Sequence, residues 1–179
     1  MKESVETLNN NALHLAEKGS YDEAIECLKR ALTLDPLHHL IWFNLGVTFR
    51  DCGMMKEAAD SFAKAHDIDE DEESYTDALA ITRMNMGNID EAMQLCAEAL
   101  TRNEMNARIW NTFGVLYFNK NEMDLAAEAF EKAVMINPYY YDALYNLRDT
   151  YEEMGNKDGM NLCIKQMKLI KQNKGASNA

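Results

Sequence analysis

The chain repeats itself every 34 residues. Its two prolines, Pro36 and Pro138, lie 102 positions apart, and its two tryptophans, Trp42 and Trp110, lie 68 apart. Gly19, Gly53, Gly87 and Gly155 keep the same step, and Asn121 fills the one slot where that series lacks a glycine. Asparagine is the residue that best replaces glycine at positive φ. Ala24, Ala58, Ala92 and Ala126 form a further series, and Ala31, Ala65, Ala99 and Ala133 another, each stepping by 34 without an insertion. Five units therefore fit in succession, 5–38, 39–72, 73–106, 107–140 and 141–174, and 175–179 is left as a flexible tail. A fixed period of this length marks one supersecondary unit stacked on copies of itself.

Inside a unit the apolar spacing is helical. Trp42, Leu45, Gly46 and Phe49 step by three, one and three, and after Gly53 the series Ala58, Phe62, Ala65 steps by four and three. The spacing predicts helix, tight turn, helix, with the turns at Gly19, Gly53, Gly87, Asn121 and Gly155 closing the first helix of each pair. Ser20 with Glu23, and Asn88 with Glu91, have the spacing of a capping box that opens the second helix. Alanine and glycine at fixed phases permit close helix contact beside Trp42, Phe49 and Phe62. Each unit alone can bury only one face, whereas stacking several buries a continuous core.

This pattern of Trp, Leu-Gly, Tyr, Ala, Phe, Ala and Pro at fixed phases resembles the tetratricopeptide repeat family. Unit 107–140 carries it most fully, with Trp110, Phe113, Gly114, Tyr117, Ala126, Phe130, Ala133 and Pro138. Unit 141–174 departs most: Leu147, Tyr151 and Gly155 keep phase, but Met160 and Met167 stand in the alanine slots, as suits a terminal unit whose last helix faces water. Lys165, Lys168, Lys171 and Lys174 among Ile164, Met167 and Ile170 read as a solvated capping helix. The resemblance implies an all-α, right-handed superhelical solenoid in which the first helix of each repeat lines a concave groove and the second backs it.

The chemistry of the remaining residues excludes more than it assigns. Eighteen Lys and Arg against thirty Asp and Glu leave a net charge of −12 on 179 residues, so phosphate backbones and anionic lipid are repelled and no nucleic-acid partner is expected. Met1-Lys2-Glu3-Ser4 runs into polar sequence with no apolar leader, and no stretch is long and apolar enough for membrane insertion, so a cytoplasmic protein is expected. Cys27, Cys52, Cys96 and Cys163 show no close pairing. His38 and His39 are adjacent between helices, without ligand spacing to a Cys or carboxylate, and read as loop residues. The run Asp69 to Glu73 lacks the alternating ligands and central glycine of a calcium loop and reads as a solvated turn. No phosphate-binding, nucleophile-elbow or zinc-protease motif occurs. No cofactor, metal site or catalytic residue is expected.

Function then falls to the groove. Subtracting the core phases leaves six first-helix positions per unit as its lining, among them Asn10, Phe43, Asn44, Arg50, Asp77, Arg108, Asn111, Phe118, Tyr145, Asn146 and Asp149. The full lining holds eight carboxylates and two arginines, which favours a neutral or basic protein or peptide segment anchored on Phe43, Phe118 and Tyr145. Asn10, Asn44 and Asn146 share one phase, from which an amide can donate to and accept from an extended backbone. The carboxylate clamp of some co-chaperone repeats is excluded, because Asn9, Leu13, Ser74 and Ala78 stand where it needs Lys, Asn, Lys and Arg. A non-enzymatic interaction module or adaptor is the leading reading. A self-assembling scaffold acting as a homo-oligomer, and a small chaperone for an exported or assembled subunit, are the alternatives.

Overall fold

The computed structural model describes residues 3–176, with side chains to residue 172. Among the described residues ten α-helices follow one another: α1 (Val5–Glu17), α2 (Tyr21–Leu34), α3 (His39–Asp51), α4 (Met55–Ile68), α5 (Glu73–Asn85), α6 (Ile89–Arg102), α7 (Ala107–Asn119), α8 (Met123–Ile136), α9 (Tyr141–Glu153) and α10 (Lys157–Ala176). The odd-numbered helices begin at 5, 39, 73, 107 and 141 and the even-numbered at 21, 55, 89, 123 and 157, so the sequence period is reproduced residue for residue. No strand occurs among the described residues. Gly175 and Ala176, expected in a flexible tail, instead continue α10, because nothing between Lys157 and Ala176 breaks the helix; Ser177 to Ala179 lie outside the described residues.

Every first helix ends in the same way. The N–H of Gly19 donates to the Ala16 carbonyl at 2.9 Å and that of Ser20 to the Leu15 carbonyl at 2.9 Å, and the equivalent pair recurs after α3, α5, α7 and α9. This doubly bonded close requires a left-handed residue, and Asn121 supplies it at φ 61° where the other four turns use glycine. The close also replaces the expected capping box at Ser20. The backbone of Ser20, at ψ 63°, does not aim its hydroxyl at the helix, and no side-chain cap bond forms. Side-chain caps stand elsewhere: Ser4 Oγ accepts from Thr7 N–H at 3.1 Å on α1, and Asn106 Oδ1 from Ile109 N–H at 3.0 Å on α7. His39 proves to be the first residue of α3 rather than a loop residue, and its Nδ1 lies 2.8 Å from the Tyr75 hydroxyl.

Two compact units make up the chain, Met1–Asn88 and Ile89–Ala179. Their boundary falls inside the span 73–106. In the first unit α1 packs on α2, α2 on α3, α3 on α4 and α4 on α5; in the second the same succession runs from α6 to α10. The alanine series explains how closely the helices approach: Ala24, Ala31, Ala58, Ala65, Ala126 and Ala133 are all fully buried. Among the glycines of the first unit Gly46 is the one packed against a side chain. A Cβ there would stand 2.6 Å from Phe62 Cδ1, and Gly114 stands in the same relation to Phe130 in the second. In the terminal pair Cys163, Met167 and Ile170 are buried against Leu144, Leu147 and Phe130, while Lys165, Lys168 and Lys171 are exposed. Met167 thus fills the volume that α10 leaves open where earlier second helices carry alanine.

Candidate functional site

The first helices position the candidate residues, and each compact unit holds its own set. In the first unit Asn44, half-buried on α3, donates from Nδ2 to Asn9 Oδ1 of α1 at 2.8 Å. In the second, Asn146 of α9 donates to Asn111 Oδ1 of α7 at 2.9 Å. The two pairs are the same contact three repeats apart. Their backbone is held as well, since the Thr48 hydroxyl donates to the Asn44 carbonyl and the Thr150 hydroxyl to the Asn146 carbonyl, both at 2.8 Å. The amides are therefore oriented before any ligand arrives, with the second amide proton of each still outside these bonds. Asn10, which shares their phase, is exposed on α1.

Phe118, Asn146 and Asp149 converge with Val115 and Phe130 around a cavity of about 110 Å³ in the second unit. Phe118 is half-buried against the core there, so it does not stand free. Asp149 is engaged by its neighbour: Arg148 donates to Asp149 Oδ1 from Nε at 2.9 Å and from Nη2, and this carboxylate contact further secures the guanidinium's charge. The same guanidinium lies 4.0 Å over the ring of Tyr145, which is 45% exposed. In the first unit Arg50 likewise donates to Asp51 Oδ1 at 3.1 and 3.0 Å. The negative field expected of the lining is thus partly compensated within the chain.

Phe43 is placed differently from Tyr145. It is half-buried, with its ring 5.5 Å from Phe62 and 4.9 Å from Tyr75 by centroid, so it consolidates α3, α4 and α5 instead of standing free. Asp77 is half-buried on α5, and Arg108 is exposed at the start of α7. The sequence reading missed Arg148. The signal for it was present, because the position holding Gly46 and Gly114 in other units holds this arginine in the last. It also missed the threonines, although Thr48, Thr82 and Thr150 keep the period, and Thr82 donates to the Ala78 carbonyl at 2.7 Å.

No described group of three or more His, Cys, Asp or Glu is arranged to hold a metal ion. Cys163 is buried, and burial pushes its thiol up, away from the thiolate form. Among the described residues no helix is long and apolar enough to cross a membrane.

Models of the tetratricopeptide repeat match residues 9–73 and 107–140, together more than half of the chain. The chain belongs to the tetratricopeptide repeat family. This tetratricopeptide protein is 26% identical over 142 residues to the probable UDP-N-acetylglucosamine–peptide N-acetylglucosaminyltransferase SPINDLY of Hordeum vulgare, a match spanning 75% of the chain and 15% of the relative. It spans less than half the length of each curated relative it matches. Among solved structures, that of MamA aligns with a TM-score of 0.73 and 25% identity, covering 92% of this chain and 96% of MamA. That of YrrB, a tetratricopeptide protein with an unusual peptide-binding site, aligns with a TM-score of 0.63 and 23% identity, covering 91% and 84%. The all-α architecture of helix-turn-helix repeats, expected from the period, is the family's fold, and it is an adaptor fold for binding protein.

Proposed function

We propose that this tetratricopeptide protein is a non-enzymatic, cytoplasmic interaction module that holds an extended, neutral or basic peptide segment against its first helices. The observation that carries the reading is the convergence of Phe118, Asn146 and Asp149 on one cavity, beside the exposed ring of Tyr145. The cavity accepts a single small apolar side chain. The remaining Asn146 amide proton meets a peptide carbonyl, and a cationic neighbour in the peptide competes with Arg148 for Asp149. The peptide-binding description of YrrB, which shares the fold, supports peptide as the ligand class.

A photo-crosslinking phenylalanine analogue at Tyr145 tests this. In native extract it is expected to capture a partner that the same analogue at Tyr139, 71% exposed before α9, does not capture. Capture at Tyr145 is expected to be lost on Phe118→Ala. Equal capture at both positions, or capture indifferent to Phe118→Ala, would show that this surface is not where the partner binds.

A further inference from the structure

A larger cavity lies outside the first-helix lining. It measures about 480 Å³ and opens to solvent, and α2, α3 and α4 of the first unit line it with Lys29, Leu32, Thr33, Trp42, Leu45, Phe49, Glu57, Asp60 and Ser61. Apolar atoms form most of its surface, and two carboxylate residues, Glu57 and Asp60, are among those that line it. The Trp42 indole N–H is already satisfied by the Pro36 carbonyl at 2.8 Å, so what the tryptophan offers the cavity is its ring.

The second unit contains the same place 68 residues on, and there a lysine of the chain lies over the tryptophan. Lys132 Nζ lies 4.3 Å from the centroid of Trp110 and 3.1 Å from Glu128 Oε1, a cation held between an indole face and a carboxylate. Phe113 and Tyr117, rings 4.7 Å apart, stand where Leu45 and Phe49 stand in the first unit. In the first unit Trp42 matches Trp110 and Asp60 matches Glu128, while Glu57 replaces an apolar Leu125 and adds a second carboxylate. Among the described residues no cation lies over Trp42. Asp60 is one methylene shorter than Glu128, and no ion pair joins it to the exposed Lys64, the counterpart of Lys132. Lys29, which also lines the cavity, is paired with Glu26 at 3.6 Å.

We propose that the cavity between α2, α3 and α4 takes an arginine or lysine side chain of a partner polypeptide, its cation over Trp42 and against Asp60 and Glu57, as Lys132 is held within the chain on Trp110 and Glu128. Room remains for the alkyl stem and part of the flanking backbone, which Leu45, Phe49 and Leu32 would cover. This site shares no residue with the Asn146 surface, so the molecule would engage a basic partner at two separate places.

The two tryptophans make the test direct, because each gives one indole N–H signal in a ¹⁵N–¹H spectrum and Trp42→Phe assigns them. Titration with acetyl-Gly-Arg-Gly-amide is expected to shift the Trp42 signal saturably and leave that of Trp110 in place. The citrulline analogue, equal in shape and uncharged, is expected to bind roughly five- to ten-fold more weakly, and Asp60→Asn/Glu57→Gln to weaken the arginine peptide by a similar factor. Glu57 and Asp60 are exposed, so this variant is expected to fold, which its circular dichroism will verify. An unmoved Trp42 signal, equal binding of the arginine and citrulline peptides, or equal shifts of both indoles would overturn the proposal. None of these results bears on capture at Tyr145.

Discussion

Single positions in this chain are constrained by contact rather than by local preference, and Gly46 makes the point. On intrinsic propensity Gly46→Ala in the middle of α3 would stabilise the helix by about 1 kcal/mol. The added methyl would stand 2.6 Å from the ring of Phe62, which is 0% exposed. Overpacking of this kind costs about 1–3 kcal/mol, so the net change is expected to be destabilising. Gly114→Ala against Phe130 should behave alike. Chemical denaturation of both variants will show lower midpoints; a rise in either would mean that the ring relaxes freely. Asn121 is the converse case, a left-handed position held by a non-glycine residue at φ 61°. Asn121→Gly is expected to change stability little, while Asn121→Val should lower it by roughly 1–2 kcal/mol, read from the same denaturation curves.

Pairs of helices are joined by buried alanines and by a few hydroxyl contacts, and both kinds of contact are testable. Ala92 on α6 is fully buried at the same phase as Ala24, Ala58 and Ala126. Ala92→Leu is expected to cost a few kcal/mol by overpacking, whereas Glu98→Gln on the exposed side of the same helix should have little effect. Equal midpoints for the two would contradict the packing of α6. Tyr151 of α9 donates its hydroxyl to Glu131 Oε1 of α8 at 2.6 Å, and burial, then this carboxylate, pushes the phenol well above its ordinary value of 10.0. Burial, then Glu72 and Asp69, raise Tyr75 of α5 in the same direction. In the unfolded chain both phenols lose their protons near 10 while the folded chain still holds them. Stability is therefore complete below that pH and declines as pH rises through and beyond it. Thermal melts between about pH 9 and 11.5 should show this loss, and Tyr151→Phe should reduce it without abolishing it, since Tyr75 remains. A wild-type melting temperature that is flat across the range would refute the assignment.

At the scale of the whole molecule, a repeat protein is stabilised by each element's own terms and those of its neighbours, so a local defect stays local. Hydrogen exchange on Gly46→Ala is expected to speed up in α3 and α4 and their neighbours while α8 to α10 keep their protection; uniform loss along the chain would mean global cooperativity. Charge acts at longer range. The net of −12 and the carboxylates of the first helices should hasten encounter with a basic partner. For the partner recovered at Tyr145, Asp77→Lys/Asp149→Lys is expected to weaken binding and flatten its salt dependence. Unchanged affinity and slope would show that these acids only solubilise the helix face.

The turns that close the first helices and the small-residue contacts were legible in the sequence because they depend on residues close in the chain or at a repeated phase. A left-handed residue closes a helix wherever it falls, and alanine at four equivalent positions declares a close approach whatever surrounds it. The 34-residue step therefore predicted helix, tight turn, helix in each unit and the residue at each turn, Gly19, Gly53, Gly87, Asn121 and Gly155, but not that His39 opens α3. Side-chain partnership depends instead on which atoms from separate helices meet. Asn44 and Asn146 looked free in the sequence until packing brought Asn9 and Asn111 within hydrogen-bond distance. Phe43 looked like a surface anchor until α4 and α5 placed Phe62 and Tyr75 against it. Arg148 could be read as a lost glycine but not as the clamp on Tyr145 and Asp149. Trp42 and Trp110 are identical by phase, yet one ring carries the chain's own lysine and the other walls a cavity, because the residues that fill the space beside them differ in size and reach and only the packed fold sets them together.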